Sequence, residues 1–395
     1  MEQLTVNRFK PYRGHRWMRS NLLWNKNTNP YLDKYKLNIL DGLNTPADVL
    51  AIPCPHLPDK ESFAHRDEGL YISVGHMGIC DYRDTPIICD SSMDYAYLDL
   101  PMRDLISHPQ VRYYLSGMTF RDPVAYDRKS WSGEYHGAVL NQRVFYDTGP
   151  DIREERESLP ANVLAKIKID RPPIEIISDD VFSYIDHYIK PLKDRPVDLS
   201  FSGRTFYYAP FGTAMPTIQR NYLEKIWNTL PGKNKEFMSY TNASGTLKFG
   251  KKIKRYSYPF EYFKLLLDTK IVISPWGWSP WCIRDLEALA CGCIVIKPEC
   301  SNLQIYPDIY NPKYQLMVWS DVLFNGLHQQ IDYILNNIDS FQDRADRGRK
   351  LLYTVMYPND KMYASWTKKI RSYVESCLEP NSFSEAYKIP NTANY

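Results

Sequence analysis

The stretch KIVISPWGWSPWCIRDLEALACGCIVIKP, Lys270 to Pro298, decides the fold class. Ile271, Val272 and Ile273 form one β-branched apolar run; Ile294, Val295 and Ile296 form another. Short unbroken runs of this kind suit parallel strands covered on both faces. Between them lie a Gly/Pro/Trp loop, Pro275 to Trp281, and a helical segment, Cys282 to Cys291. A strand, a helix and a second strand within about thirty residues make a βαβ unit. Ligands of open α/β sheets sit outside the carboxyl ends of the strands, where helix N-termini favour anions. The helix opens with Arg284 and Glu287, one turn apart and therefore on one face. A cation and a carboxylate at such a mouth suit a nucleoside diphosphate: Arg can pair with the phosphates, and Glu can accept from the ribose hydroxyls. The same spacing also describes a solvated surface ion pair, so spacing alone leaves both readings open.

The segment RDLEALACGCIVI resembles the signature of exostosin-like glycosyltransferases, in which Arg, two residues and Glu-Ala-Leu lead into Gly-Cys-Ile-Pro-Val. It is also similar to the donor-binding segment of the wider GT-B glycosyltransferases, glycosyl transferase group 1 among them. Upstream, DLSFSGRTFY (Asp198 to Tyr207) resembles the first strand of a GT-B donor domain, and Arg220 falls in the following helix, TIQRNYLEKIWNTL. The order of these motifs holds over roughly Asp198 to Pro312; the first half of the chain offers no such match. Two departures stand out. Glu287 matches the second Glu of the E-x7-E pattern of many retaining enzymes, but the first position is Ser279. The second strand also lacks the family's Pro, since Ile294 to Ile296 simply continues.

The resemblance implies an α/β protein of GT-B architecture, two Rossmann-like domains facing across a cleft. Residues 1–190 would form the acceptor-side domain and 191–358 the nucleotide-sugar donor domain. Residues 359–395 would carry a C-terminal helix crossing back to the first domain. It implies transfer of a hexosyl or pentosyl group from a UDP-, GDP- or dTDP-sugar to a glycan or polysaccharide, with no metal and no further cofactor. Cations would stabilise the leaving diphosphate. Arg284, Arg204 and Arg220 are the first choices, ahead of Lys248 and Lys252. Glu287 would bind ribose, and Gly203, Ser274, Gly277 and Ser279 would supply backbone or hydroxyl donors. Inversion would need a base for the acceptor hydroxyl. GHMGICDYRD offers His76, Asp81 and Asp84 in a loop after an expected strand, and Asp41 and Asp90 end other strands. Inversion and retention both stay open.

Composition bounds the alternatives. The chain has 395 residues, 44% hydrophobic and 24% charged, enough for two domains of ordinary size. Its formal charge of +3, from 49 basic and 46 acidic residues, does not point to nucleic acid. The 31 Tyr and 9 Trp fit a carbohydrate handler, because aromatic rings stack on sugar faces; an aromatic-rich core is the plainer reading. The 8 Cys show no CxxC spacing and read as reduced thiols of a cytoplasmic protein without a zinc site. No run approaches a membrane span. The basic, Trp-containing N-terminus has no secretory apolar core; peripheral membrane contact and packing on the fold are both open for it.

Along the chain, residues 37–42, 47–53, 69–76 and 85–90 read as short strands ending in Gly, Pro, Asp or His. Residues 178–189 and 257–269 read as helices, and Lys190 to Asp198 as a Pro-rich charged linker. A helix capped by Ser320 and a last helix, Met362 to Leu378, complete the pattern. Two other classes remain: a non-catalytic glycan-binding or scaffold protein of GT-B fold, and a GT-B sugar-nucleotide epimerase.

Overall fold

A computed structural model describes residues 1–8, 29–41, 47–54, 85–91, 106–107, 111–121, 160–169, 179–204, 215–240, 259–277, 280, 282–356 and 360–379. Within these the chain divides into two compact units. One takes the described residues of 1–121, 160–169 and 360–379, the other those of 179–356.

The first unit holds a parallel sheet. Its strands are β1 (Leu4–Arg8), β2 (Leu37–Asp41), β3 (Val49–Cys54), β4 (Ile87–Ser91), β5 (Val111–Ser116) and β6 (Ile167–Ile169). Their order is β2-β1-β3-β4-β5-β6, every neighbouring pair parallel. Short helices α1 (Tyr31–Lys34) and α2 (Ala161–Leu164) precede β2 and β6. The N-terminal LTVNR, in which the sequence offered no strand, lies inside this sheet: Val6 pairs with Ile39 on one side and Val49 on the other. Alternation explains it, since Leu4 and Val6 are buried while Thr5 is only partly so.

The second unit holds β7 (Val197–Arg204), β8 (Lys235–Tyr240), β9 (Thr269–Ile273), β10 (Ile294–Pro298) and β11 (Met317–Ser320). The order β11-β10-β9-β7-β8 is again parallel throughout. Numbered within the unit, both sheets begin 2-1-3-4-5, the flavodoxin-like doubly wound order. The βαβ unit expected from Lys270 to Pro298 is β9, a helix and β10, within about one residue of the boundaries read from sequence. Ile271, Ile273, Ile294 and Ile296 pack in one core cluster with Leu199 and Phe201. Val272 and Val295, on the opposite face, are also buried. Covering both faces is what permits runs with no polar alternation.

The helices of this unit are α3 (Asp179–Tyr188), α4 (Met215–Ile226), α5 (Pro259–Asp268), α6 (Ile283–Ala290), α7 (Leu327–Asn336) and α8 (Gln342–Met356). The Pro-rich segment before β7 is not a free linker but an anchored turn. Arg195 is buried and donates to the carbonyls of Lys190, Thr269 and Cys291. Helix α3 is tied to the same unit, by Arg349 to Asp186 and by the Phe182–Tyr353 ring contact. The helix expected from Ser320 starts at Leu327 instead. The Asp321 side chain accepts from Leu323 and Asn325 and closes a turn, and Gly326 sits at φ +76°. Helix α8 escaped the periodicity because two of the three residues in its buried row, Ala345, Gly348 and Leu352, are small. A Cβ on Gly348 would lie 2.8 Å from the Leu289 Cδ2, so any larger residue there would make the Leu289 side chain shift where α8 meets α6.

The last helix, α9 (Asp360–Cys377), belongs to the first unit. Trp366, Ile370 and Val374 join Leu4, Val6 and Leu37 in its core. Arg371 donates to the carbonyls of Tyr35 and Lys36. No helix among the described residues is long and apolar enough to cross a membrane.

Candidate functional site

In a sheet of this order the direction of winding reverses between the first and third strands, here the parallel neighbours β7 and β9. Gly203 lies near the carboxyl end of β7; Ser274 to Gly277 follow β9; α6 starts just beyond. Sequence-predicted residues therefore meet at one edge of one sheet.

Arg284, in the first turn of α6, lies with its guanidinium 5.0 Å from the centre of the Phe201 ring. Gly203 faces it: a Cβ there would fall inside van der Waals contact of an Arg284 terminal nitrogen and 3.3 Å from the Phe201 ring. The glycine is thus needed less for backbone freedom than for the space the cation occupies. Arg284 is only 9% exposed. A buried cation resting on an aromatic face is attracted by the ring quadrupole.

Glu287 is half-buried and accepts a hydrogen bond from the Tyr262 hydroxyl of α5 at 2.8 Å. Burial first, and then the Glu287 charge, push the Tyr262 phenol well above its ordinary range. Arg284 acts on the same phenol in the opposite direction, so cation and carboxylate share one neighbourhood.

The loop after β9 is pinned from α4. Gln219 accepts from the Trp276 N–H at 2.9 Å and donates to Val322. Arg220 donates through Nε (3.1 Å) and Nη2 (2.7 Å) to the Trp276 carbonyl. Trp276 is itself buried, its indole N–H directed at the Pro298 carbonyl. Arg220 therefore acts on the loop backbone, and Trp276 is a packing residue of that loop. Gly277 is buried beside it.

Ser274 is turned inward as well. Its hydroxyl donates to Asp285 and lies 3.1 Å from the Cys282 thiol. Asp285 is the residue sequence reasoning missed. Fully buried, it forms an ion pair at 2.8 Å with equally buried Lys297 and accepts from Ser274, Tyr310 and the Cys282 N–H. This carboxylate binds the loop after β9, the start of α6 and the end of β10 into one cluster. Burial pulls the Lys297 ammonium down, but the Asp285 charge outweighs it and leaves the group above its ordinary value. Two signals were present: an Asp three residues after the helix N-cap, as in a capping box, and a single Lys in an otherwise apolar buried strand.

Arg204 closes β7 opposite Tyr240; its side chain lies outside the described residues, as do His76, Asp81, Asp84, Lys248, Lys252, Trp278, Ser279 and Trp281 in full. The expected strand at 69–76 is likewise outside them.

No protein-family model matches the chain, and no curated protein matches its sequence. Solved structures similar to it include an α1,3-fucosyltransferase with GDP, at 13% identity over 96% of this chain and 91% of that one, TM-score 0.39. An α1,3-fucosyltransferase with GDP-fucose gives 13% identity over 96% and 91%, TM-score 0.38. WaaG, a glycosyltransferase involved in lipopolysaccharide biosynthesis, gives 12% over 94% and 99%, TM-score 0.36. Likeness at this level leaves function to be argued from the residues of the site.

Proposed function

We propose that the chain is a glycosyltransferase of GT-B type. It takes a sugar from a nucleoside-diphosphate sugar held by the second unit and delivers it to a glycan or polysaccharide acceptor. One observation carries the reading: at the β7/β9 switch point, a buried Arg284 seated against Gly203 and Phe201 lies near a half-buried Glu287 one helical turn further on. Glycosidic cleavage places growing negative charge on the departing diphosphate. A pre-seated guanidinium in a water-poor site stabilises that charge without reorganising, and the α6 N-terminus adds to it. Glu287 would accept from the ribose hydroxyls. Arg220 serves by fixing the loop that shapes the site, and Arg204 is a further cation for the diphosphate. Metal independence and His76 or Asp81 as acceptor base are parts of the same proposal.

The test is a thermal-shift and calorimetric screen of UDP, GDP, CDP and dTDP, with and without EDTA, followed by nucleotide release from the matching sugar nucleotides with glycan acceptors. A ligand that binds only the native state raises the midpoint by mass action. The expected result is an EDTA-insensitive shift with one base. Arg284→Ala should then lower turnover about a hundredfold, the scale of losing one preorganised charge-stabilising donor. No shift with any nucleotide, in folded protein, overturns the reading in favour of a glycan-binding or scaffold protein.

A further inference from the structure

Helices α5 and α6 flank β9 in sequence, one before it and one after, and Tyr262 reaches across to Glu287. We infer that Tyr262 is a positioning residue that holds the Glu287 carboxylate in the pose accepting a ribose 2′-hydroxyl, so that this site selects ribonucleoside diphosphates over their 2′-deoxy counterparts. The inference rests on the nucleotide reading above and adds to it both a residue and a sugar preference.

Glutamate has a flexible stem, and a half-buried one samples several rotamers unless something holds it. The Tyr262 ring is rigid and its hydroxyl donates at 2.8 Å to Oε2, so the phenol acts as a fixed strut. It stays a donor: burial and the neighbouring carboxylate both oppose loss of its proton. A carboxylate is an acceptor with about four lone-pair sites, so the phenol does not by itself exhaust it. An ionised carboxylate accepts from sugar hydroxyls and repels phosphate, which directs the ribose to Glu287 and the diphosphate to Arg284. A site built to hydrogen-bond a substrate hydroxyl disfavours the analogue that lacks it.

The experiment is isothermal titration of the full chain with GDP and UDP and with 2′-deoxy-GDP and 2′-deoxy-UDP, for wild type, Tyr262→Phe, Glu287→Gln and the double variant. A hydrogen bond to a charged group predicts that wild type prefers the ribonucleotide by roughly ten- to a hundredfold. Tyr262→Phe keeps the ring and should weaken the ribonucleotide several-fold while leaving the deoxy ligand nearly unchanged. In the Glu287→Gln background, where the amide oxygen is a weaker acceptor than the carboxylate, the same change should have a smaller effect on the preference. Equal weakening of both ligands by Tyr262→Phe, which a merely structural role would give, overturns the inference, as does a wild type that binds both sugars alike. Failure of every nucleotide to bind overturns the nucleotide reading and the inference together.

Discussion

Removing the Asp285 carboxylate is the most decisive test of how the second unit is held together. In Asp285→Ala, Lys297 keeps its place in β10, fully buried, but loses the counter-charge at 2.8 Å. Breaking a buried pair by deleting one partner costs about 3–5 kcal/mol, mostly because it strands a charge. Lys297 can escape by losing its proton, and deprotonating an ordinary lysine at pH 7 costs about 5 kcal/mol, which sets a ceiling. Three donors, from Ser274, Tyr310 and the Cys282 N–H, lose their acceptor too. An expected loss of about 4 kcal/mol follows. Lys297→Met should cost less, about 2 kcal/mol, because Asp285 retains those donors. The double replacement should be milder than Asp285→Ala alone. The pH dependence has a fixed sign. In the wild type Lys297 lies above its ordinary value, so the pair's contribution is whole below about pH 10.5 and fades only as pH rises through the higher folded value. In Asp285→Ala the stranded lysine is depressed, so the defect should shrink as pH rises from 7 toward 10. The assay is urea unfolding read by hydrogen exchange in peptides spanning 269–305. A loss in Asp285→Ala below about 1 kcal/mol, or smaller than that of Lys297→Met, would refute the argument.

Gly203→Ala should leave the fold nearly intact, since the clashing Arg284 nitrogen ends a flexible side chain, yet lower transfer at least about tenfold by displacing the cation; wild-type turnover would contradict the seat described for Arg284. In the first unit, burial lowers Lys166 to about 8, below its unfolded value near 10.5, so this group makes stability rise between those pH values, and Lys166→Met should flatten that rise in pH-dependent melts. Cys282 is only partly buried, whereas Cys89, Cys291, Cys293, Cys300 and Cys377 are buried. Mass-spectrometric mapping should find it alkylated ahead of Cys291, Cys293 and Cys300, and a bound nucleoside diphosphate should protect it. Burial pushes Cys293 up to about 11, which keeps its thiol unreactive near neutral pH.

The parts of the fold legible in the sequence are those where one physical pattern acted alone. Uninterrupted β-branched Ile/Val runs bounded by loop residues suit strands covered on both faces, and 271–273 and 294–296 are such strands. The strand at Leu4–Arg8 was hidden because its alternation spans five residues beside a basic segment. Helix α8 was hidden because Ala345 and Gly348, small residues with little apolar signal, stand in its buried row; Gly348 faces Leu289 of α6 and Ala345 the main core cluster. The Lys190 to Asp198 segment has the composition of a linker, but one buried Arg195 with three carbonyl partners makes it structure. Local composition cannot report partners 74 and 96 residues away.

The site follows the same logic with one difference. Arg284 and Glu287 were legible because their spacing puts both on one helix face at the mouth of a strand. Their supports were not, because each is supplied from another element: Gly203 and Phe201 from β7, Tyr262 from α5, the Arg220 and Gln219 grip from α4. Ser274 looked like a ligand donor because a strand-end serine usually has solvent before it; here it has Asp285. Asp285, the charge between the two proposed site residues in RDLE, is the one that anchors the start of α6. Asp285 faces inward between Arg284 and Glu287, and a buried carboxylate held by a lysine and three donors leaves the first turn of α6 little freedom to rotate. Arg284 projects from that turn and Glu287 from the next, so the precision of the proposed site depends on the Asp285–Lys297 ion pair beneath them. A substitution at Lys297, on the far strand, should therefore lower nucleotide affinity even where it leaves the protein folded.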